Sequence, residues 1–132
     1  MVLVDANVLL DVLTADAVWQ SWSEQALANS EQFGLAIDAI IYAELCPAFR
    51  SEDELRSALA GWPLQRLELP YEAAWPASQA FAEYRRRGGV RTAPLPDFFI
   101  GAHAQVEGIE LLTRDSRRYR TYFPQVSIIC PP

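Results

Sequence analysis

The 132-residue sequence contains no lysine; all eleven of its basic residues are arginine. That absence excludes two α/β designs that set acids at the ends of parallel strands. Haloacid-dehalogenase-like phosphatases and response-regulator receivers both need a lysine beside the phosphoryl group. The phosphatases also need a D-x-D after the first strand, where this chain reads Asp5-Ala6-Asn7. Cysteine is scarce. Cys46 and Cys130 match no metal-binding spacing and read as reduced thiols of a cytoplasmic protein. The single histidine, His103, lies in an apolar stretch with no acid or nucleophile at a recognisable spacing, and reads as structural. No G-x-S-x-G, P-loop, dinucleotide glycine fingerprint or H-E-x-x-H occurs. No apolar run reaches the ~18 residues of a membrane-spanning helix. The N-terminal MVLVDANVLLDVL carries Asp5 and Asp11 without a basic leader, so no signal peptide is expected. The chemistry has to come from carboxylates.

What is present describes a folded domain. Hydrophobic residues make up 51% and charged residues 21%, as in globular chains rather than disordered ones. The length suits one domain, 1–132, with a core of its own. The net charge of −6 is unevenly spread. Residues 1–83 carry three arginines against thirteen acids, and residues 84–132 carry eight against four. The arginines cluster at Arg85, Arg86, Arg87 and Arg91, and at Arg114, Arg117, Arg118 and Arg120. Two such patches on an acidic body can hold phosphates locally without general affinity for nucleic acid. Either patch is also what solvated helix ends look like.

Apolar runs alternate with segments of helical period. Strands are expected at Met1–Val4, Phe33–Ile37, Leu64–Leu69, Ile109–Thr113 and Val126–Ile129. Helices are expected from Asn7, over 17–30, over Ala39–Leu45 up to Pro47, over 52–60, over 71–87 and from Asp97 to about Glu107. Ser51 and Glu54 form a capping box for the fourth of these, and Gly88-Gly89 stops the fifth. The loop VRTAPLP precedes the last. Strands interleaved with helices point to an α/β fold with a mostly parallel sheet covered on both faces.

Four acids interrupt apolar sequence. Asp5 ends MVLV, Asp115 follows ELLT, Glu44 sits within AIIYAEL, and Asp97 opens DFFIGAHA after Pro96. Ligands of an open parallel sheet bind beyond the carboxyl ends of its strands, where Asp5 and Asp115 fall and where the helix at Asp97 would begin. Singly, each has a plain structural role: a helix cap or turn for Asp5 and Asp97, an exposed helix position for Glu44, a turn for Asp115. Gathered at one edge they would repel one another unless a cation intervened, and hard oxygen ligands select Mg²⁺ or Mn²⁺. Asn7 and Thr113, each two residues from one of these acids, can orient a carboxylate or a water, or serve as helix cap and strand end.

The set D-A-N at 5–7, Y-A-E-L at 42–45, P-D-F-F-I-G-A-H-A at 96–104 and L-L-T-R-D at 111–115, in that order, resembles the PIN-domain family, in particular the VapC-type toxins of bacterial toxin–antitoxin pairs. The resemblance covers essentially the whole chain. It implies a three-layer sandwich around a five-stranded parallel sheet, with Asp5, Glu44, Asp97 and Asp115 around one or two Mg²⁺ or Mn²⁺ ions, and metal-assisted hydrolysis of single-stranded or loop RNA. Asp115 would be a ligand or hold the attacking water. Arg114, Arg117 and the segment with Arg85, Arg86, Arg87 and Arg91 would contact phosphates on either side. The resemblance further implies a cognate antitoxin and a homodimer, with Trp19 and Trp22 on an amphipathic helix as a docking surface. A PIN nuclease of RNA processing or of DNA, without an antitoxin, and a non-catalytic PIN-like interaction module are the other readings.

Overall fold

In the computed structural model, which describes residues 1–93 and 95–132, the chain runs β1 (Val2–Val4), α1 (Ala6–Leu13), α2 (Gln20–Ser30), β2 (Leu35–Ile37), α3 (Ala39–Leu45), α4 (Glu52–Leu59), β3 (Leu64–Arg66), α5 (Ala74–Arg86), α6 (Pro96–Glu107), β4 (Glu110–Leu112), α7 (Arg117–Tyr122) and β5 (Ile128–Ile129). The strands form one sheet of order β3-β2-β1-β4-β5, every pair parallel. Strands β1 and β2 are buried along their whole length, which is why VLV and LAI show no polar alternation. Helices α1, α2 and α3 pack together, and α5, α6 and α7 form a second packed group. With the right-handed crossovers that parallel strands take, this strand order puts the two groups on opposite faces of the sheet, the three-layer arrangement implied by the resemblance.

This strand order fixes where a site can lie. The chain leaves β1 toward β2 and β3, then crosses back to place β4 on the other side of β1. The crevice beyond the carboxyl ends of β1 and β4 is therefore the topological switch point. Backbone bonds stitch it: the Asp5 N–H donates to the Leu112 carbonyl at 2.9 Å, and the Thr113 N–H to Ile129 at 3.0 Å. Helices α3 and α6 meet at the same edge.

Local signals account for most boundaries. Ser51 caps α4 by accepting from the Glu54 N–H at 3.2 Å, and Gly108 ends α6 in the left-handed region at φ 65°. Three expectations need correction. The third strand stops at Arg66 rather than Leu69. The segment from Tyr71 opens with a 3-10 turn, and α5 starts at Ala74, where Pro76 fits a first turn that needs no N–H from it. Helix α7 was not expected. Its arginines mask an i, i+3 pair, Tyr119 and Tyr122, that turns inward, with Tyr119 fully buried. The expected loop before α6 includes position 94, outside the described residues.

Trp19 and Trp22 are half-buried, edge-to-face against each other at 6.4 Å, with Trp22 packed on the core. The large apolar side chains that face water include Tyr71 (95% exposed) and Trp75 (73%), one helical turn apart.

Gly101, in mid-α6, is a position where space decides the residue: a Cβ there would run into the Phe123 ring. Phe123 is fully buried. Alanine gains up to ~1 kcal/mol in helix propensity, but overpacking a filled core costs about 1–3 kcal/mol. Gly101→Ala should therefore lower the midpoint of thermal unfolding; equal or greater stability would show that the α6–α7 contact is looser than described.

Candidate active site

Each acid singled out in the sequence is placed by the element that carries it. Asp5, the residue after β1, caps α1: its Oδ1 accepts from the Ala6 N–H at 2.8 Å. The other oxygen, Oδ2, faces the crevice and accepts from the Thr113 hydroxyl and the Tyr119 hydroxyl, both at 2.9 Å. Asp97 lies in the first turn of α6 but does not cap it, because the cap position is Leu95. Its Oδ1 lies 3.2 Å from the same Tyr119 hydroxyl, and its Oδ2 accepts from Arg118 at 3.4 Å. Tyr119 thus stands between two carboxylates with one proton to donate. Glu44, on α3, is half-buried, and its Oε1 is buried with no hydrogen-bond partner. Asp115 is exposed at the rim, accepting from the Arg117 N–H at 3.4 Å.

The electrostatics show that three of these acids feel one another. Burial raises the Asp5 carboxyl to about 6, and the Asp97 charge adds to it, against the hydrogen bonds from Thr113 and Tyr119. Burial raises Glu44 to about 7, with the charges of Asp5, Asp97 and Asp38 contributing in that order. Asp97 is raised chiefly by burial, opposed by Arg118, with Asp115 adding to the rise. Burial, then the same acids, drive the Tyr119 phenol well above its ordinary value, so it stays a donor. Asp5, Glu44 and Asp97 converge; Asp115 joins them from outside. Among the described residues, no three such side chains are already drawn in to cation-holding distance.

Thr113 and Asn7 form a chain behind Asp5. Asn7 Nδ2 donates to the Thr113 hydroxyl at 3.2 Å, leaving that hydroxyl to donate to Asp5. The Asn7 carbonyl oxygen accepts from the Arg114 N–H at 3.0 Å.

The family model for the PIN domain matches residues 2–124. The chain belongs to the PIN-domain family. No curated relative matches it. Among solved structures it is similar to a chain of VapBC2 from Rickettsia felis, crystallised bound to a promoter DNA fragment, at 17% identity and TM-score 0.73 over 100% of both chains. It is also similar to DNA-bound VapBC from Salmonella typhimurium, at 19% and 0.73 over 98% of this chain and 96% of that one. A third is Mycobacterium tuberculosis VapC20, titled a Sarcin-Ricin loop cleaving toxin, at 16% and 0.64 over 96% and 99%.

Around the acids of this PIN domain, the arginines expected at phosphates divide. Arg114 is held in a fork on Asp11, Nε at 2.9 Å and Nη2 at 3.2 Å, with its guanidinium over the Trp19 ring. Arg86 and Arg87 pair with Glu83. Arg85 closes the turn after α5 through the carbonyls of Gly89 and Arg91. The side chains of Arg91 and Arg117 are exposed, and among the described residues neither is in an ion pair.

Sequence reasoning missed Tyr119, since α7 itself was missed, and it grouped Arg118 with the second arginine patch without setting it against Asp97. It also missed the partner of His103. That ring meets Asp38, Nδ1 to Oδ2 at 2.7 Å, both fully buried, while Asp38 Oδ1 caps α3. The two are 65 residues apart, so no local spacing shows the pair. Asp38 does end the apolar run LAI as Asp5 ends VLV, and the rule that found one would have found the other.

The raised Glu44 carboxyl gives a signed test in metal-free protein. Its folded value lies above its ordinary one, so the stabilisation is complete below pH ~4.5 and is lost as pH rises through about 7. Glu44→Gln should melt close to wild type at pH 5 and above it at pH 8. Discounted for a half-exposed group, the gain is about 1 kcal/mol. A gap independent of pH would place Glu44 away from the other acids.

Proposed function

We propose that this PIN domain is a metal-dependent endoribonuclease, the toxin of a toxin–antitoxin pair, hydrolysing RNA phosphodiester bonds. The observation that carries the reading is the unpartnered, buried Glu44 Oε1 beside Asp5 and Asp97, both raised by burial. A buried oxygen without a donor is costly unless something positive completes it. An all-oxygen carboxylate set fits Mg²⁺ or Mn²⁺. Asp5, Glu44 and Asp97 would hold the ion, and Asp115, from the rim, is a further ligand or the holder of the attacking water. A cation held there supplies charge to the developing phosphorane oxygens and acidifies a water.

The remaining work falls to the protein. Thr113, held by Asn7, keeps one lobe of Asp5 pointed into the crevice. Asp115 can accept the proton of the water as its oxygen attacks phosphorus and the bond to the leaving ribose oxygen breaks. Arg117 and Arg91, in no ion pair among the described residues, would take flanking phosphates, with Arg114, Arg85, Arg86 and Arg87 available only by exchanging their present partners. The similarity to chains of VapBC complexes and to a toxin that cleaves the Sarcin-Ricin loop supports an antitoxin partner and an RNA substrate. The exposed Tyr71 and Trp75 support a protein-docking face, whether for the antitoxin or in a homodimer. Among the described residues no helix is long and apolar enough to cross a membrane. Cytoplasmic RNA is the substrate pool this reading requires.

RNA cleavage should require Mg²⁺ or Mn²⁺ and stop with excess chelator. Asp97→Asn should abolish cleavage and shrink the thermal shift on adding Mn²⁺. It should also raise the melting temperature of metal-free protein: two charges ~4 Å apart repel by ~4 kcal/mol at an effective dielectric near 20, protons and counterions relieve much of that, and the net gain is about 1 kcal/mol, less what Arg118 loses as a partner. An active Asp97→Asn protein with an unchanged Mn²⁺-dependent shift would overturn the assignment, since asparagine could replace an aspartate whose role is only structural.

A further inference from the structure

The cleft of about 330 Å³ between the end of α5, the start of α6 and α7 opens directly onto the acids. Two acids, Asp97 and Asp115, two arginines, Arg117 and Arg118, and two aromatic rings, Tyr84 and Tyr122, line it. The two tyrosines meet edge to face at 6.4 Å and are only partly buried. The Arg118 guanidinium lies over the rings of Tyr84 and Phe98, 5.8 Å from each centre, and reaches Asp97 at 3.4 Å. Of the cleft's two arginines, Arg118 is therefore shared between an aromatic wall and an acid of the site, while Arg117 is in no ion pair among the described residues.

Two chemistries adjoin here. Partly exposed aromatic rings beside guanidinium planes are where unpaired bases stack. Paired arginines within reach of a reacting centre are where phosphates are held. The volume sits at the small end of ligand cavities, enough for one nucleotide rather than a duplex.

We propose that this cleft seats a single unpaired nucleotide of the RNA next to the scissile bond, its base against Tyr84 and Tyr122 and its phosphate on Arg117 and Arg118. Arg118 also couples the seat to the acids. It competes with a cation for Asp97, so occupation of the acid cluster releases it to the phosphate. The inference rests on the nuclease reading above and adds to it the seat and the residues that form it.

The test uses purified full-length protein, with Mn²⁺ binding measured by calorimetry and steady-state cleavage of a labelled single-stranded RNA. Arg118→Gln, on a half-exposed side chain, should tighten Mn²⁺ binding about two- to fivefold, the worth of the ion pair it removes. The same change should raise KM for RNA about tenfold or more, as expected when a charged hydrogen bond is lost. Arg118→Lys, which keeps the charge but not the fork, should recover part of the KM. Tyr122→Leu should raise KM about tenfold by lost stacking while leaving Mn²⁺ affinity at the wild-type value. Arg56→Gln, on an α4 arginine paired with Glu52, should change neither. A duplex of the same sequence should compete poorly.

If wild type neither cleaves nor binds the single strand, the nuclease reading falls and the subsite with it. If wild type cleaves but Arg118→Gln and Tyr122→Leu retain both KM and Mn²⁺ affinity, the subsite alone is wrong. Effective competition by duplex RNA would likewise overturn the unpaired-nucleotide seat.

Discussion

Carboxylates forced together at the end of a parallel sheet are the constraint around which this domain is arranged. Strand β1 delivers Asp5 to the switch crevice fully buried, α3 brings Glu44, and α6 opens with Asp97. Burial chiefly, with their mutual repulsion adding to it, raises Asp5 to about 6 and Glu44 to about 7. An arrangement of this kind disfavours the fold unless it is met by protons or by a cation. The surrounding polar groups moderate that cost. Thr113 and Tyr119 both donate to Asp5, Tyr119 also reaches Asp97, and Arg118 lends a distant charge. None of them reaches Glu44 Oε1.

Much of the scaffold serves to hold these groups still. The His103–Asp38 pair ties α6 to the start of α3, the two helices that carry Asp97 and Glu44. The Arg114 fork on Asp11, extended by the Ser23 hydroxyl at 2.8 Å, ties the segment after β4 to α1 and α2. Phe123 packs into the space left by Gly101 and so sets the distance of α7, with Tyr119, from α6. Buried polar contacts of this type are stable only when their charges meet partners, and Asp38 and Asp11 each do.

The sequence shows the fold because its signals are local: uninterrupted apolar runs for buried strands, and caps and glycines at helix ends. The acids are visible for the same reason, each breaking an apolar run at Asp5, Glu44, Asp97 and Asp115. What stays hidden is either long-range or masked by composition. His103 and Asp38 meet only in three dimensions. Tyr119 lies in a stretch so rich in arginine that its inward-facing period is hard to see, and with α7 unrecognised neither it nor the contact of Arg118 with Asp97 could be foreseen. The arginine patches illustrate a further gap, because clustering in sequence does not show which guanidinium groups are taken up by Asp11, Glu83 or a turn and which remain open.

The central claim is that Asp5, Glu44 and Asp97 share one divalent cation. Crystals of the protein grown or soaked in Mn²⁺ and measured at the manganese absorption edge test it most directly. The account predicts an anomalous peak within ligand distance of Asp5 and Asp97 oxygens and of Glu44 Oε1, with the Arg118 guanidinium moved off Asp97. A fully occupied manganese elsewhere, or none at saturating concentration with Glu44 Oε1 still unpartnered, would contradict it.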